Sequence, residues 1–300
     1  MFQTIVKIFL LVIITAAITP FIRKLAFVLG AVDNPNARRI NKKPMPTIGG
    51  LAIFVAFNIG EFVLLRKDFP THELFSVLLA SSVIILTGLI DDILELKPRQ
   101  KMFGIFVASL VVYFLAGIKV RELSLPFLGH IQLGWWSFPL TIFWILALTN
   151  AVNLIDGLDG LATGVTLISL VTMGIVGFFF LKSWQHYVPI MCIMLAACLL
   201  GFLPYNFHPA KIFLGDTGAL YIGFMISVLS LKGLKNVTFV SLLVPILILG
   251  VPITDTVYAM IRRKLNKKNI SQADKHHLHH QLMRMGLSHR QTVLAIYGIS

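Results

Sequence analysis

The sequence predicts an all-α polytopic membrane protein with about ten transmembrane helices, and three observations carry that expectation. Hydrophobic residues make up 57% of the 300-residue chain. Asp, Glu, Lys and Arg together make up only 13%, roughly half the usual share in soluble domains. Apolar runs close to the length that crosses a hydrocarbon core, about 20 residues, recur along the chain. They are too long and continuous for barrel strands, and an open sheet would leave unpaired edges in lipid, so helices follow.

The expected spans are roughly 2–22, 48–65, 73–90, 102–118, 137–154, 161–181, 186–205, 217–231, 237–260, and a last one from about 291. The first resembles a signal peptide, with Lys7 ahead of an apolar run. The run continues to Phe21 with no A-x-A-like cleavage site, so it reads as a retained helix. Residues 120–136 alternate in polarity and carry Gly129 and Gly134, which predicts a small hairpin at the outer interface, with Trp135 and Trp136 at headgroup level. Gln291 to Ser300 supplies about half a crossing, so the expectation is one domain over 1–300, cut short at its C-terminus.

Charge gives the orientation. Loops after odd-numbered spans hold most of the 26 basic residues, which places them in the cytoplasm and the N-terminus outside. The net charge of +13 reads as basic loops facing anionic lipid headgroups, and no nucleic-acid partner is expected. Cys192 and Cys198 share one apolar span and read as core thiols. Asp33, Asp91, Asp92, Glu95, Asp156, Asp159, Asp216 and Asp274 all sort to the cytoplasmic side, although the charge rule is indifferent to carboxylates. A polar active site on that face is the expectation.

Asp91 and Asp92 end the third span, where the helix dipole disfavours negative charge and the two carboxylates repel. A cation would offset this, although a solvated acidic helix end is the plainer reading. Lys97, Arg99 and Lys101 follow and could bind phosphate. In Asn150–Leu161, Asp156 and Asp159 share a face if the segment is helical. With Asn150 and Asn153 they make a hard-oxygen environment suited to Mg²⁺, or a glycine-rich turn with capping acids. Asp216 just precedes the eighth span and could simply cap it. Phe213 beside it packs, or stacks on a nucleobase. His276, His277, His279 and His280 bind phosphate when protonated; zinc is the rival. The basic loop 34–50 either anchors the chain or contacts a nucleotide. Asp255, inside an apolar span, is functional or hydrogen-bonded into the structure. A cation or proton transporter is the rival of another class, disfavoured because the acids lie at one face and no repeated halves are seen.

Five stretches, RRINKKPMPTIGGLAIF, LIDDILELKPRQK, NAVNLIDGLDGLATG, NFHPAKIFLGDTGALYIG and HHLHH, together resemble the polyprenyl-phosphate N-acetylhexosamine-1-phosphate transferase family, glycosyltransferase family 4. The resemblance runs from about Ile18 to Gly298. It implies a magnesium-dependent membrane transferase (Mn²⁺ being a second option) in the bacterial plasma membrane, with a cytoplasmic active site, and leaves a homodimer open. By position it implies Asp216 as the main Mg²⁺ ligand with Asp156 beside it, and Asp91 and Asp92 as the catalytic pair. Asn153 and Asp159 lie around the donor, Phe213 stacks on uracil, and Lys43 and Lys101 contact phosphates. His277, His279 and His280 join the substrate site. The interrupted histidine run resembles the branch that takes UDP-GlcNAc as donor. Within that branch the chain as a whole most resembles the members that start wall teichoic acid or related cell-wall polymer synthesis, which implies undecaprenyl phosphate as acceptor. The alternative donor is UDP-MurNAc-pentapeptide.

Overall fold

The computed structural model describes residues 2–33, 44–64, 66, 70–125, 129–180, 187–233, 250 and 282–299. The chain opens with helix α1 (Phe2–Leu29), then strand β1 (Val32–Asp33), strand β2 (Met45–Pro46) and helix α2 (Gly50–Ile59). A π-helical turn (Gly60–Leu64) extends α2. Helices α3 (Thr71–Leu94) and α4 (Pro98–Phe114) follow, then strands β3 (Glu122–Leu125) and β4 (Gly129–Gln132). Helices α5 (Ser137–Ile155), α6 (Leu161–Phe180), α7 (Tyr187–Asn206), α8 (Gly215–Gly233) and α9 (His289–Ile299) complete the described elements.

Five helical stretches are long and apolar enough to cross a membrane: Gln3–Leu29, Thr71–Leu94, Gly134–Ile155, Leu161–Phe179 and Tyr187–Asn206. The chain is therefore an all-α, multi-pass membrane protein. Helix α4, at 17 residues, is short of the roughly 20 that span the hydrocarbon core. Of the expected ninth span, 237–260, only residue 250 is among the described residues. The hairpin expected at 120–136 is present, with β3 antiparallel to β4 and Leu123 paired with Ile131. A second small ladder, β1 with β2, was not foreseen, because two residues per strand are too few to show alternation.

Helix α8 is the hub. It packs against α2, α3, α5, α6 and α7, and Leu220, Tyr221, Ile222 and Phe224 are fully buried. Protein rather than lipid surrounds it, so it can carry Asp216 in its first turn and Lys232 in its last. Helix α1, by contrast, lies at the rim against α2 and α7 and exposes Phe9, Phe21 and Val28, as a lipid-facing helix does.

Glycines set the contacts that matter for the site. A Cβ on Gly88 of α3 would lie 2.5 Å from the Thr217 Cα, and one on Gly50 of α2 would lie 2.0 Å from the Gly218 Cα. Three helices thus meet backbone to backbone at the start of α8. Small residues permit such close approach in membrane helices, where packing and not water drives association.

At the far end of α8, Lys232 forms an ion pair with Glu73 of α3 and lies over the Tyr187 ring, 4.4 Å from its centroid. Lys232 is almost fully buried while Glu73 is partly exposed. Glu73→Gln is therefore expected to destabilise by on the order of 1–3 kcal/mol, between the values for buried and exposed pairs. Adding Lys232→Met should recover much of the loss in thermal unfolding. An unchanged melting temperature in the single variant would contradict this.

Candidate active site

Four helix ends converge on one patch. The C-terminus of α3 supplies Asp91 and Asp92, and the first turn of α4 supplies Lys101. The last turn of α5 supplies Asn153 with Asp156 following as its cap, and the first turn of α8 supplies Asp216 and Thr217. Three of these ends have a readable cause. Helix α3 ends in a left-handed residue, Glu95, with φ 50°. Pro98 opens α4 at a position where its missing N–H costs nothing. Gly215 enters α8 at φ +72°, with the Thr47 carbonyl 1.5 Å from where a Cβ would stand, so both conformation and space require glycine.

Lys101 is the cation at the centre. Its Nζ pairs with Asp91 Oδ2 and lies 3.1 Å from Asp216 Oδ2. Asn153 Nδ2 donates to the other oxygen of Asp216. Asp91 Oδ1 accepts from the Leu96 N–H at 2.7 Å, which fastens the reversal after α3. The Asp91 side chain is 3% exposed, whereas that of Asp216 is 28% exposed. Of the two, Asp216 presents itself to a ligand.

The two adjacent acids have separate tasks. Asp92 turns to α8: its Oδ1 accepts from the Asp216 N–H at 3.0 Å, and its Oδ2 from the Thr217 N–H at 2.9 Å and the Thr217 hydroxyl at 2.6 Å. A carboxylate on unpaired N–H groups at a helix N-terminus is favoured by both the hydrogen bonds and the dipole. The helix start that Asp216 could have capped is thus capped from α3 by Asp92. Thr217, which completes this contact, was missed in the sequence, where a Thr after Asp carries no distinctive signal.

Asp156 and Asp159 do not share a helical face. Helix α5 ends at Ile155, Asp156 takes φ −72° and ψ 61°, and the chain turns before α6. Burial, then the charges of Asp216, Asp92 and Asp159, push the Asp156 carboxyl well above the usual range. Asp156 is thus within electrostatic reach of Asp216 and Asp92. Asp159 instead binds the loop after α7: its Oδ2 is 2.9 Å from His208 Nδ1 and accepts from the Ala210 N–H at 3.1 Å. Phe213 is half-buried, with its N–H donating to Pro46 and its carbonyl accepting from Gly49. This ladder gives the stretch around Gly49 and Gly50 a structural job, because it holds the start of α2 against the loop that carries Phe213. Asn206 is structural too, accepting from the Thr163 hydroxyl and donating to the Ile212 carbonyl. Lys43, His277, His279, His280 and Asp255 lie outside the described residues.

The patch fits a hard divalent cation. Asp91 and Asp216 share Lys101, Asp92 holds the Asp216 N–H, and the charges of Asp216 and Asp92 act on Asp156. Carboxylate and amide oxygens are the donors such an ion prefers.

Membrane-crossing helices around a one-ended cluster of carboxylates define a class: an integral membrane protein with a polar site at a helix-bundle end. Residues 74–234, which hold that cluster, match the model of "Glycosyl transferase family 4", and the chain belongs to that family and is an enzyme. It is 46% identical over 284 residues to the probable undecaprenyl-phosphate N-acetylglucosaminyl 1-phosphate transferase of Bacillus subtilis, covering 94% of this chain and 78% of the relative. It is 34% identical over 312 residues to the decaprenyl-phosphate N-acetylglucosaminephosphotransferase of Mycolicibacterium smegmatis, covering 95% and 76%. A phospho-N-acetylmuramoyl-pentapeptide-transferase of Clostridium botulinum is 33% identical over 272 residues, covering 86% and 81%.

Proposed function

We propose that this enzyme transfers GlcNAc-1-phosphate from UDP-GlcNAc to undecaprenyl phosphate, releasing UMP, at the cytoplasmic face of a bacterial plasma membrane. The observation that carries the reading is the Asp91–Lys101–Asp216–Asn153 cluster, assembled from separate motifs at one bundle end. The similarity to transferases whose names specify GlcNAc and polyprenyl phosphates supports the choice of substrates. The positive-inside rule supports the orientation, with about ten spans and the N-terminus outside.

The reaction joins a phosphate oxygen of the acceptor to the β-phosphorus of the donor. The bond from that phosphorus to the oxygen bridging the two donor phosphates breaks, and UMP leaves with that oxygen. Little covalent work falls to the protein, because positioning and charge stabilisation dominate phosphoryl transfer. Asp216 and Asp156 would hold Mg²⁺ (Mn²⁺ being a second option), which when bound withdraws charge from the donor diphosphate. Lys101, held on the buried Asp91 and bordering the more exposed Asp216 carboxylate, is placed to meet a phosphate. Phe213 would stack on the uracil, beside the loop that Asp159 fastens. Asp92 acts by holding the start of α8.

Direct attack by the acceptor is favoured over a covalent intermediate on an aspartate. Asp91 is buried and tied at both oxygens, and Asp92 has both oxygens on α8. Neither is free to act as a nucleophile. UDP-GlcNAc/UMP exchange in the absence of acceptor would sink this version.

The test is purified protein in nanodiscs with undecaprenyl phosphate, Mg²⁺ and either UDP-GlcNAc or UDP-MurNAc-pentapeptide. UMP release with the first donor and little with the second is the expected result, and the reverse preference would overturn the substrate choice. Lys101→Gln should cut turnover about 10²-fold or more, as loss of one charged contact to a developing phosphate charge does. A variant of wild-type rate would remove Lys101 from the site.

A further inference from the structure

Beside the carboxylate cluster lies a second group of different chemistry. Asp159 comes from the turn between α5 and α6, His208 from the loop between α7 and α8, and His289 from the first residue of α9. Asp159 Oδ2 is 2.9 Å from His208 Nδ1. The His208 and His289 rings stack with centroids 4.2 Å apart and planes 17° from parallel. One ligand-type atom from each of the three residues lies within 4.8 Å of the others.

We propose that Asp159, His208 and His289 form a Zn²⁺ site distinct from the catalytic carboxylate cluster. Two imidazoles and a carboxylate are a donor set that zinc accepts, whereas Mg²⁺ prefers oxygen throughout. An independent observation points the same way: His289 Nε2 is buried with no hydrogen-bond partner among the described residues. A buried polar nitrogen left unpaired is unfavourable, and such exceptions call for an explanation. A metal ion at that lone pair supplies one. Around zinc, bonds of 2.0–2.1 Å set tetrahedral donors roughly 3.4 Å apart. The widest pair must therefore close by at most about 1.5 Å.

The surroundings hold these ligands in place. The Ala210 N–H also donates to Asp159 Oδ2, so the carboxylate is oriented by backbone, as supported metal ligands are. Arg290 Nε donates to the His208 carbonyl at 3.1 Å, and the Tyr297 hydroxyl donates to the Gly160 carbonyl. Helix α9 is thereby clamped to both loops that the ion would join. Three protein ligands leave a fourth position for water. The ion would pin α9 to the loop that leads through Phe213 to Asp216, and so stiffen that loop from outside the reacting centre.

The experiment uses the full chain in nanodiscs, stripped with a chelating resin and then titrated with Zn²⁺ alone. One equivalent retained through desalting, together with a rise in melting temperature, is expected. His208→Ala and His289→Ala should each lose both effects. The double variant His277→Ala/His279→Ala should keep both. Because a loss can reflect misfolding, His289→Cys supplies a gain. Its Co²⁺ form should show a sulfur-to-cobalt charge-transfer band absent from wild type, whose own Cys192 and Cys198 are buried. No zinc retained by wild type, retention by His289→Ala, loss confined to the His277/His279 variant, or no new band in the cysteine variant would each overturn the assignment.

Discussion

Asp216→Asn is expected to lower UMP release by about 10³-fold or more while leaving the melting temperature within a degree or two. The two halves of that result have separate causes. Asparagine keeps the shape of the side chain, and its carbonyl can still accept from Asn153 Nδ2. The helix start is held through the backbone, because Asp92 binds the Asp216 N–H and Thr217. The fold therefore does not rest on the Asp216 charge. The proposed chemistry does. Removing one carboxylate from the proposed ion's ligands, and from the 3.1 Å contact with Lys101, weakens charge stabilisation in the transition state. A loss of about 4 kcal/mol there corresponds to roughly 10³-fold in rate. Asp92→Asn should behave in the opposite proportion, with a clear loss of thermal stability because an amide cannot accept at both sites. If Asp216→Asn turns over at the wild-type rate, this cluster is not the reacting centre.

Much of this site was legible in the sequence, for physical reasons. Asp91, Asp92, Asp156 and Asp216 stand out because carboxylates at the ends of apolar runs are costly unless paired. Orientation from loop charge then gathers them without any tertiary information. The division of labour within the first pair was not legible. Adjacent residues on a helix point about 100° apart, and only the crossing of α3 with α8 decides which one meets the α8 N-terminus. Asp156 and Asp159 misled for a related reason: their i, i+3 spacing predicts a shared face only in a helix, and the turn Asp156–Gly160 removes the helix. The association of Asp159 with His208 and His289 spans 130 residues of chain, so no local pattern announces it. The burial of α8 also escaped the sequence, since an apolar run with terminal charges reads alike whether lipid or protein surrounds it.

The second large effect lies at a residue with no chemistry of its own. Gly88→Ala is expected to cut activity about 10²-fold while costing only about 1–3 kcal/mol of stability. A Cβ at residue 88 would stand 2.5 Å from the Thr217 Cα, 2.7 Å from its nitrogen and 2.8 Å from the Asp216 carbonyl oxygen. All three are backbone atoms, so no side-chain rotation relieves the clash and α3 must move away from α8. Overpacking of this size costs about 1–3 kcal/mol, which a bundle with this many contacts to α8 can tolerate. The Asp92 bonds to Asp216 and Thr217, at 2.6 to 3.0 Å, have no such tolerance. Nor does the contact of Lys101 with carboxylates from both helices. A misplacement of roughly 1 Å in groups that position phosphates can cost about 10²-fold in rate. The measurement is turnover per folded molecule alongside thermal unfolding. A variant that loses stability and activity in proportion would mean that the α3–α8 contact serves only the fold. A larger fall in turnover ties this glycine to the spacing of the carboxylates.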